Sequence, residues 1–150
     1  MIMALVTNKK ASFNYELLEK FSAGVELFGF EVKSLRAKQG SLEGSYIIIR
    51  GDEAFLVGSH IPPYQGANTP KSYDPYRARK LLLTKKEIAE LLGKEKQKGL
   101  SIIPLSFYLK GLFIKLDIAV ARGKKLHDKR ETTKKREASR SMDRARKGGE

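Results

Sequence analysis

Glu31-Val32-Lys33 has the residue types and spacing of the E-x-K half of a metal-dependent nuclease site. In such sites a carboxylate holds a divalent cation and a lysine stabilises the charge that develops on the leaving group. They need a second carboxylate, typically upstream. The first Asp of this chain is Asp52, and the glutamates nearest to Glu31 fall within a strand-like stretch. The other chemistry open to Glu31 is that of an acceptor for base or amide donors, which suits a binder. His60 and His127 are the only histidines. Neither has a second ligand at helical spacing, which points away from a metal. The sequence has no cysteine, no phosphate-cradling GxxxxGK[ST] loop and no nucleophile elbow. The expectation is a protein without catalytic residues, metal or cofactor.

Binding chemistry is better represented. Basic residues cluster at Asn8-Lys9-Lys10, at Lys33 with Arg36, and at Arg77-Ala78-Arg79-Lys80 just after Asp74-Pro75. Phe13, Tyr64, Tyr73 and Tyr76 lie close to these clusters in sequence. Unstacked RNA bases dock on such rings. Scattered lysines are usually a solvated surface and rings in a β protein are usually core. Three clusters with aromatic neighbours favour a binding face.

The charge is unevenly spread. Residues 1–121 carry 18 basic and 12 acidic side chains, and residues 122–150 carry 12 and 5, which together make the formal net charge of +13. The apolar side chains of 122–150 are Leu126, Ala138, Met142 and Ala145. These cannot offset roughly 1–2 kcal/mol of backbone entropy per ordered residue, so this segment is expected to be disordered until a polyanion orders it. Coiled as a helix, it would align Lys129, Arg136, Arg140, Arg144 and Lys147 on one side. Its acid-first pairs Glu131/Lys135 and Asp143/Lys147 support that helix. Its apolar residues are too few to embed in a bilayer, and no run approaches the roughly 18 residues of a spanning helix. A soluble, cytoplasmic protein that does not bind membranes is expected, a monomer when free.

The elements that must position these groups are mostly strands. Residues 15–27 alternate with period two through Tyr15, Leu17, Phe21, Ala23, Val25 and Leu27, with Glu19 as the one polar interruption. Residues 30–38 suit a short helix with Val32 and Leu35 inward, closed by Gly40, which leaves Glu31, Lys33, Ser34 and Arg36 outside the apolar stripe. Strands at 45–50 and 54–60 flank the turn at Gly51-Asp52. Residues 61–76, with four prolines, form a long loop. A short strand at 79–83 precedes Thr84 and Glu87, a capping box opening a helix that buries Ile88, Leu91 and Leu92 and whose polar continuation ends at Gly99. Residues 100–108 and 112–121 pair across Lys110-Gly111, with Leu112, Ile114, Leu116, Ile118 and Val120 inward and Pro104 marking an edge or a bulge. Strands without βαβ rhythm predict a mainly β fold: an OB-like antiparallel β-barrel over 1–121 with two to three short helices, followed by the basic tail 122–150.

The ordered series Asn8-Lys9-Lys10-Ala11, Ala23-Gly24-Val25, Glu31-Val32-Lys33-Ser34-Leu35-Arg36, Asp74-Pro75 with Arg77, Arg79-Lys80-Leu81-Leu82-Leu83, Gly123-Lys124-Lys125 and Asp128-Lys129-Arg130-Glu131 resembles the SmpB family, the SsrA-binding proteins of bacteria. The resemblance covers nearly the whole chain. It implies an OB-type barrel that binds the tRNA-like domain of transfer-messenger RNA and delivers it to stalled ribosomes, the process of trans-translation. It also implies partners at the small-subunit decoding centre and a tail that becomes helical in the empty mRNA channel. By matching position, the RNA-facing set would be Asn8, Lys9, Lys10, Glu31, Lys33, Ser34, Arg36, Arg77, Arg79 and Lys80, with Gly123, Lys124 and Lys125 at the junction. Asp128, Lys129 and Arg130 would engage the ribosome, joined by Arg136, Arg140 and Arg144 of the basic stripe. Many relatives read Arg-His where this chain has Ser12-Phe13, which removes a basic contact and leaves a ring. A general OB-type RNA binder or ribosomal structural protein is the alternative on the residues alone.

Overall fold

The computed structural model describes residues 2–65 and 69–124. Within them lie seven strands and three helices: β1 Ile2–Thr7, α1 Ala11–Asn14, β2 Tyr15–Val25, α2 Gly29–Arg36, β3 Tyr46–Arg50, β4 Glu53–Val57, β5 Arg79–Leu82, α3 Lys85–Glu95, β6 Leu100–Lys110 and β7 Phe113–Gly123. The strands form one antiparallel sheet in the order β1-β6-β7-β2-β5-β4-β3. The mainly β reading holds, but this sheet is not closed: its edge strands β1 and β3 are not paired with each other. It curls until β3 approaches β6, and α3 packs against both. Leu91 of α3 is fully buried there. The Glu95 carboxylate accepts the Ile49 N–H of the edge strand at 2.7 Å, satisfying a donor that a strand neighbour would otherwise take.

Three one-residue bulges shape the sheet. Leu5, Leu18 and Leu105 are each the extra residue where the register slips, between Ala4 and Val6, Leu17 and Glu19, and Pro104 and Ser106. An extra residue turns the following side chains to the opposite face. Along β6, Ile102 belongs to the main core, Ile103 and Leu105 pack in a small second cluster with Ala11 and Ala121, and beyond the bulge Phe107 and Leu109 return to the main core. Likewise Tyr15 and Leu17 serve the second cluster, while Phe21, Ala23 and Val25 serve the first. The alternation along 15–27 therefore describes two faces rather than one. Pro104 marks a bulge within a strand flanked on both sides by β1 and β7.

Other local readings hold or shift for definite reasons. The hairpin turns at Gly51-Asp52, where Arg50 faces Glu53. Thr84 caps α3 by accepting the Glu87 N–H at 3.2 Å while Glu87 accepts the Thr84 N–H at 3.0 Å. The left-handed residue that ends α2 is Lys38, at φ 60°, rather than Gly40. Gly40 is needed two residues later, where a Cβ would sit 3.0 Å from the His60 carbonyl oxygen. β1 and α1 carry no periodicity long enough to be read in advance, and β1 is ordered by pairing with β6. β7 continues to Gly123, two residues past the boundary drawn at 121.

Leu112 is a correction. It stands in the β6–β7 turn beside Gly111 and is 82% exposed, because the strand begins only at Phe113. Leu116 on the same hairpin is fully buried. Leu116→Ala is expected to cost about 2–5 kcal/mol and Leu112→Ala less than about 0.5 kcal/mol. Urea unfolding of the two variants measures the contrast, and similar losses would contradict this register.

Candidate nucleic-acid interface

Three segments meet on one carboxylate. α2 carries Glu31, the loop after β4 carries Tyr73, and the approach to β5 and its first residue carry Arg77 and Arg79. Glu31 has no exposed surface. Its Oε1 accepts the Phe28 N–H at 2.8 Å and an Arg77 Nη2 hydrogen. Its Oε2 accepts from Arg77 Nε at 3.1 Å, from Arg79 Nε at 3.0 Å and Nη2 at 2.8 Å, and from the Tyr73 hydroxyl at 2.9 Å. Arg79, also fully buried, donates through Nη1 to the Ser59 carbonyl at 2.9 Å and through Nη2 to the Pro75 carbonyl at 2.9 Å. Ser34, one turn along α2, donates to the Pro62 carbonyl at 2.6 Å. Among the described residues, every buried side-chain nitrogen and oxygen has a partner.

The electrostatics follow from this crowding. Burial alone would raise the pKa of Glu31, but the hydrogen bonds from Arg77, the Phe28 N–H, Arg79 and Tyr73 together outweigh it and hold the carboxyl below its usual 4.5. Burial and the hydrogen bond to Glu31 push the Tyr73 hydroxyl up to about 12. A cation at Glu31 would have to displace two guanidinium groups from a carboxylate whose oxygens are already engaged. The E-x-K geometry is therefore spent on structure, and the nuclease reading loses its one residue. No group of three or more His, Cys, Asp or Glu capable of holding a metal occurs among the described residues. No helix there is long and apolar enough to cross a membrane.

The residues singled out in the sequence separate into three sets. Glu31, Ser34 and Arg79 are wholly interior and offer no surface to a ligand in this structure. This corrects the reading of Glu31 and Ser34 as lying outside the packed stripe: α2 turns Glu31, Ser34 and Leu35 inward because the loop presents partners for the polar pair. Lys33 and Arg36 on its other side are exposed. Arg77 is 25% exposed, and Lys80 is 37% exposed with its Nζ 3.5 Å from Glu53. The third set surrounds α1. Lys9 and Lys10 are exposed, and Lys10 pairs with Glu43 at 2.8 Å. Asn8 turns to donate to the Pro104 carbonyl at 3.0 Å. Gly123 pairs with Tyr15, and the Lys124 N–H donates to the Asn14 carbonyl at 2.9 Å, which brings the junction motif beside α1. Lys125, Asp128, Lys129, Arg130, Arg136, Arg140, Arg144 and Lys147 lie outside the described residues.

The aromatic expectation is redistributed. Tyr73 is committed to the Glu31 network, and Tyr76, 60% exposed, has its ring 4.8 Å from that of His60 and tilted at 50° to it. Phe28 and Phe30 join Tyr73 in one aromatic group, with Phe30 and Tyr73 4.7 Å apart edge to face. Arg77 lies over Phe28 at 4.1 Å. The available signal was an unbroken aromatic-Gly-aromatic step at Phe28-Gly29-Phe30 just ahead of the basic helix.

The model of the family described as SmpB protein matches residues 5–148. An SsrA-binding protein of Burkholderia lata is 48% identical over 147 residues, covering 98% of this chain and 99% of that one. An SsrA-binding protein of Mesoplasma florum is 51% identical over 136 residues, covering 91% of each. Among solved structures, a chain described under "tmRNA-SmpB: a journey to the center of the bacterial ribosome" superimposes with a TM-score of 0.69 at 41% identity, covering 85% of this chain and 92% of that one.

Because the Glu31 carboxyl is held below its free value, its stabilising contribution is complete above about pH 4.5 and is lost as pH falls through the lower, folded value. Glu31→Gln should flatten that acid limb in urea unfolding between pH 3 and 7. At pH 7, Glu31→Ala, which leaves two guanidinium groups facing a void, should cost about 3–5 kcal/mol. An acid limb unchanged in Glu31→Gln would contradict this assignment.

Proposed function

The chain belongs to the SmpB protein family, and from that premise we propose that it binds the tRNA-like domain of transfer-messenger RNA and delivers it to stalled ribosomes. The single observation that carries the reading is the family match, which runs through both the sheet and the basic tail. The protein works by binding and positioning rather than by catalysis, in the cytoplasm, as a monomer when free. Its curled sheet, with α3 across the gap between β3 and β6, serves as an OB-like barrel with a single RNA-binding body over 1–121.

Two groups with accessible surface are suited to contact RNA. Lys33, Arg36, Arg77 and Lys80 are gathered by α2 and the start of β5, and Lys9, Lys10, Gly123 and Lys124 are gathered around α1. Glu31, Ser34 and Arg79 act through these neighbours by holding the loop, and Asn8 acts by fixing the turn before α1 against β6. Phosphate contacts from such cations set register and affinity and make binding fall with salt. The tail 122–150, with Lys125 at its junction and Asp128, Lys129, Arg130, Arg136, Arg140 and Arg144 along it, enters the empty mRNA channel and reads the stalled state at the decoding centre.

Gel-shift titration should show tighter binding to the tRNA-like domain than to bulk tRNA at moderate salt, and equal affinity would sink the specific claim. Deleting 128–150 should leave RNA affinity within about tenfold while abolishing tagging on stalled ribosomes. Parallel losses of both would refute the division of labour, and a general RNA binder would show RNA affinity weakened roughly uniformly across sequences.

A further inference from the structure

We infer that the concavity walled by Phe28, Phe30 and Tyr73 is a socket for one unstacked guanine of the bound RNA, an inference that rests on the RNA-binding reading above. The concavity measures about 430 Å³ and is completed by Pro70, Ser72, Asp74 and Arg77. Its size lies within the range of ordinary small-ligand pockets. Three rings line it at mutual angles of 39°, 70° and 83°, so they form walls rather than one stacked column. Phe28 keeps 49% of its surface exposed even though it stands at the start of a helix rooted in the core. Exposed rings next to a cationic surface are the recurring platform for extruded bases.

The polar groups at the rim select the occupant. Arg77 is held by two hydrogen bonds to Glu31 and its guanidinium carbon lies 4.1 Å from the Phe28 ring centroid, so the group is placed before any ligand arrives. Glu31 is shared by two guanidinium groups, and the trio of Glu31, Arg77 and Arg79 therefore keeps one net positive charge, exposed only through Arg77. That charge draws RNA to the rim. Asp74, which is exposed, works in the opposite sense and would repel a phosphate, so the concavity suits a base rather than the backbone. One Asp74 oxygen accepts the Tyr76 N–H at 2.9 Å, which fixes the carboxylate, and among the described residues the other oxygen has no donor. A carboxylate accepts best from two adjacent donors. Guanine alone among the four bases offers two, N1–H and N2–H, side by side on its pairing edge, whereas adenine, cytosine and uracil each set a lone pair beside their donor.

Kethoxal adds across N1 and N2 of unpaired guanines and so reports on the edge that Asp74 would cover. Full-length wild type, Phe28→Leu and Asp74→Asn, each checked for an unchanged thermal melt, are titrated onto the tRNA-like domain RNA and probed at saturation. The expected result is one unpaired guanine protected by wild type and reactive again with both variants. Affinity should fall about tenfold for Phe28→Leu at an unchanged salt slope, since no phosphate contact is lost. Identical protection by all three proteins, or a shallower salt slope in Phe28→Leu, would overturn the socket while leaving the RNA-binding reading intact. Failure of wild type to bind the RNA would overturn both. If dimethyl sulfate, which methylates adenine N1 and cytosine N3, instead shows an adenine or cytosine protected by wild type and reactive with Phe28→Leu, while no guanine is protected from kethoxal, the socket takes a base but not guanine, and the specificity claim falls.

Discussion

The fold's most demanding constraint is the negative charge it buries at Glu31. Taking a carboxylate out of water costs several kcal/mol, and only near-complete pairing recovers it. Here the recovery comes from a helix N-cap amide, two arginines and a tyrosine drawn from three separate parts of the chain. Once the carboxylate is buried, its partners have little freedom. Arg79 must be interior, and it in turn collects the Ser59 and Pro75 carbonyls at either end of the long loop. A loop rich in proline has few backbone donors of its own, and this network with the Ser34 bond to Pro62 supplies its anchors. An apolar cluster of the same volume would pack as well, but it would not specify where the loop's carbonyls lie.

The exposed chemistry is a consequence of that interior. With Glu31, Ser34 and Leu35 turned inward, the helical repeat places Lys33 and Arg36 outward. Arg77 bridges the two regimes: its guanidinium closes the carboxylate network on one side and covers Phe28 on the other. Charge and aromatic surface are thus held at fixed separation by groups that touch no solvent. A site arranged in this way loses little entropy on binding, because its most rotamer-rich member is already ordered.

The sheet solves a different problem. Seven antiparallel strands leave two edges, and the molecule manages them without closing a barrel by laying α3 across the gap and giving the Ile49 amide to Glu95. Bulges at Leu5, Leu18 and Leu105 let long strands serve two apolar clusters in succession. The smaller cluster anchors α1, and α1 fixes where the chain leaves the sheet, through the Asn14 carbonyl and the Lys124 amide. The point from which the basic tail departs is therefore set by the second core.

The sequence by itself determined the elements whose signals are local. Thr84 with Glu87, the Gly51-Asp52 turn, the proline-rich loop and the even-numbered apolar face of β7 from Ile114 to Val120 were all legible, because caps, turns and period-two patterns depend on neighbours within a few residues. The motif series also carried the family. Residue type alone could not say which polar and ionic residues face water: Glu31, Ser34 and Arg79 sit among the same motifs as Lys33, Arg36 and Lys80 yet are interior. Nor could the strand pattern foresee bulges that exchange faces, or a Leu112 left outside its strand. These were decided by tertiary structure, because a charge is buried only when partners 42 to 48 residues away arrive together, and no local propensity encodes that meeting.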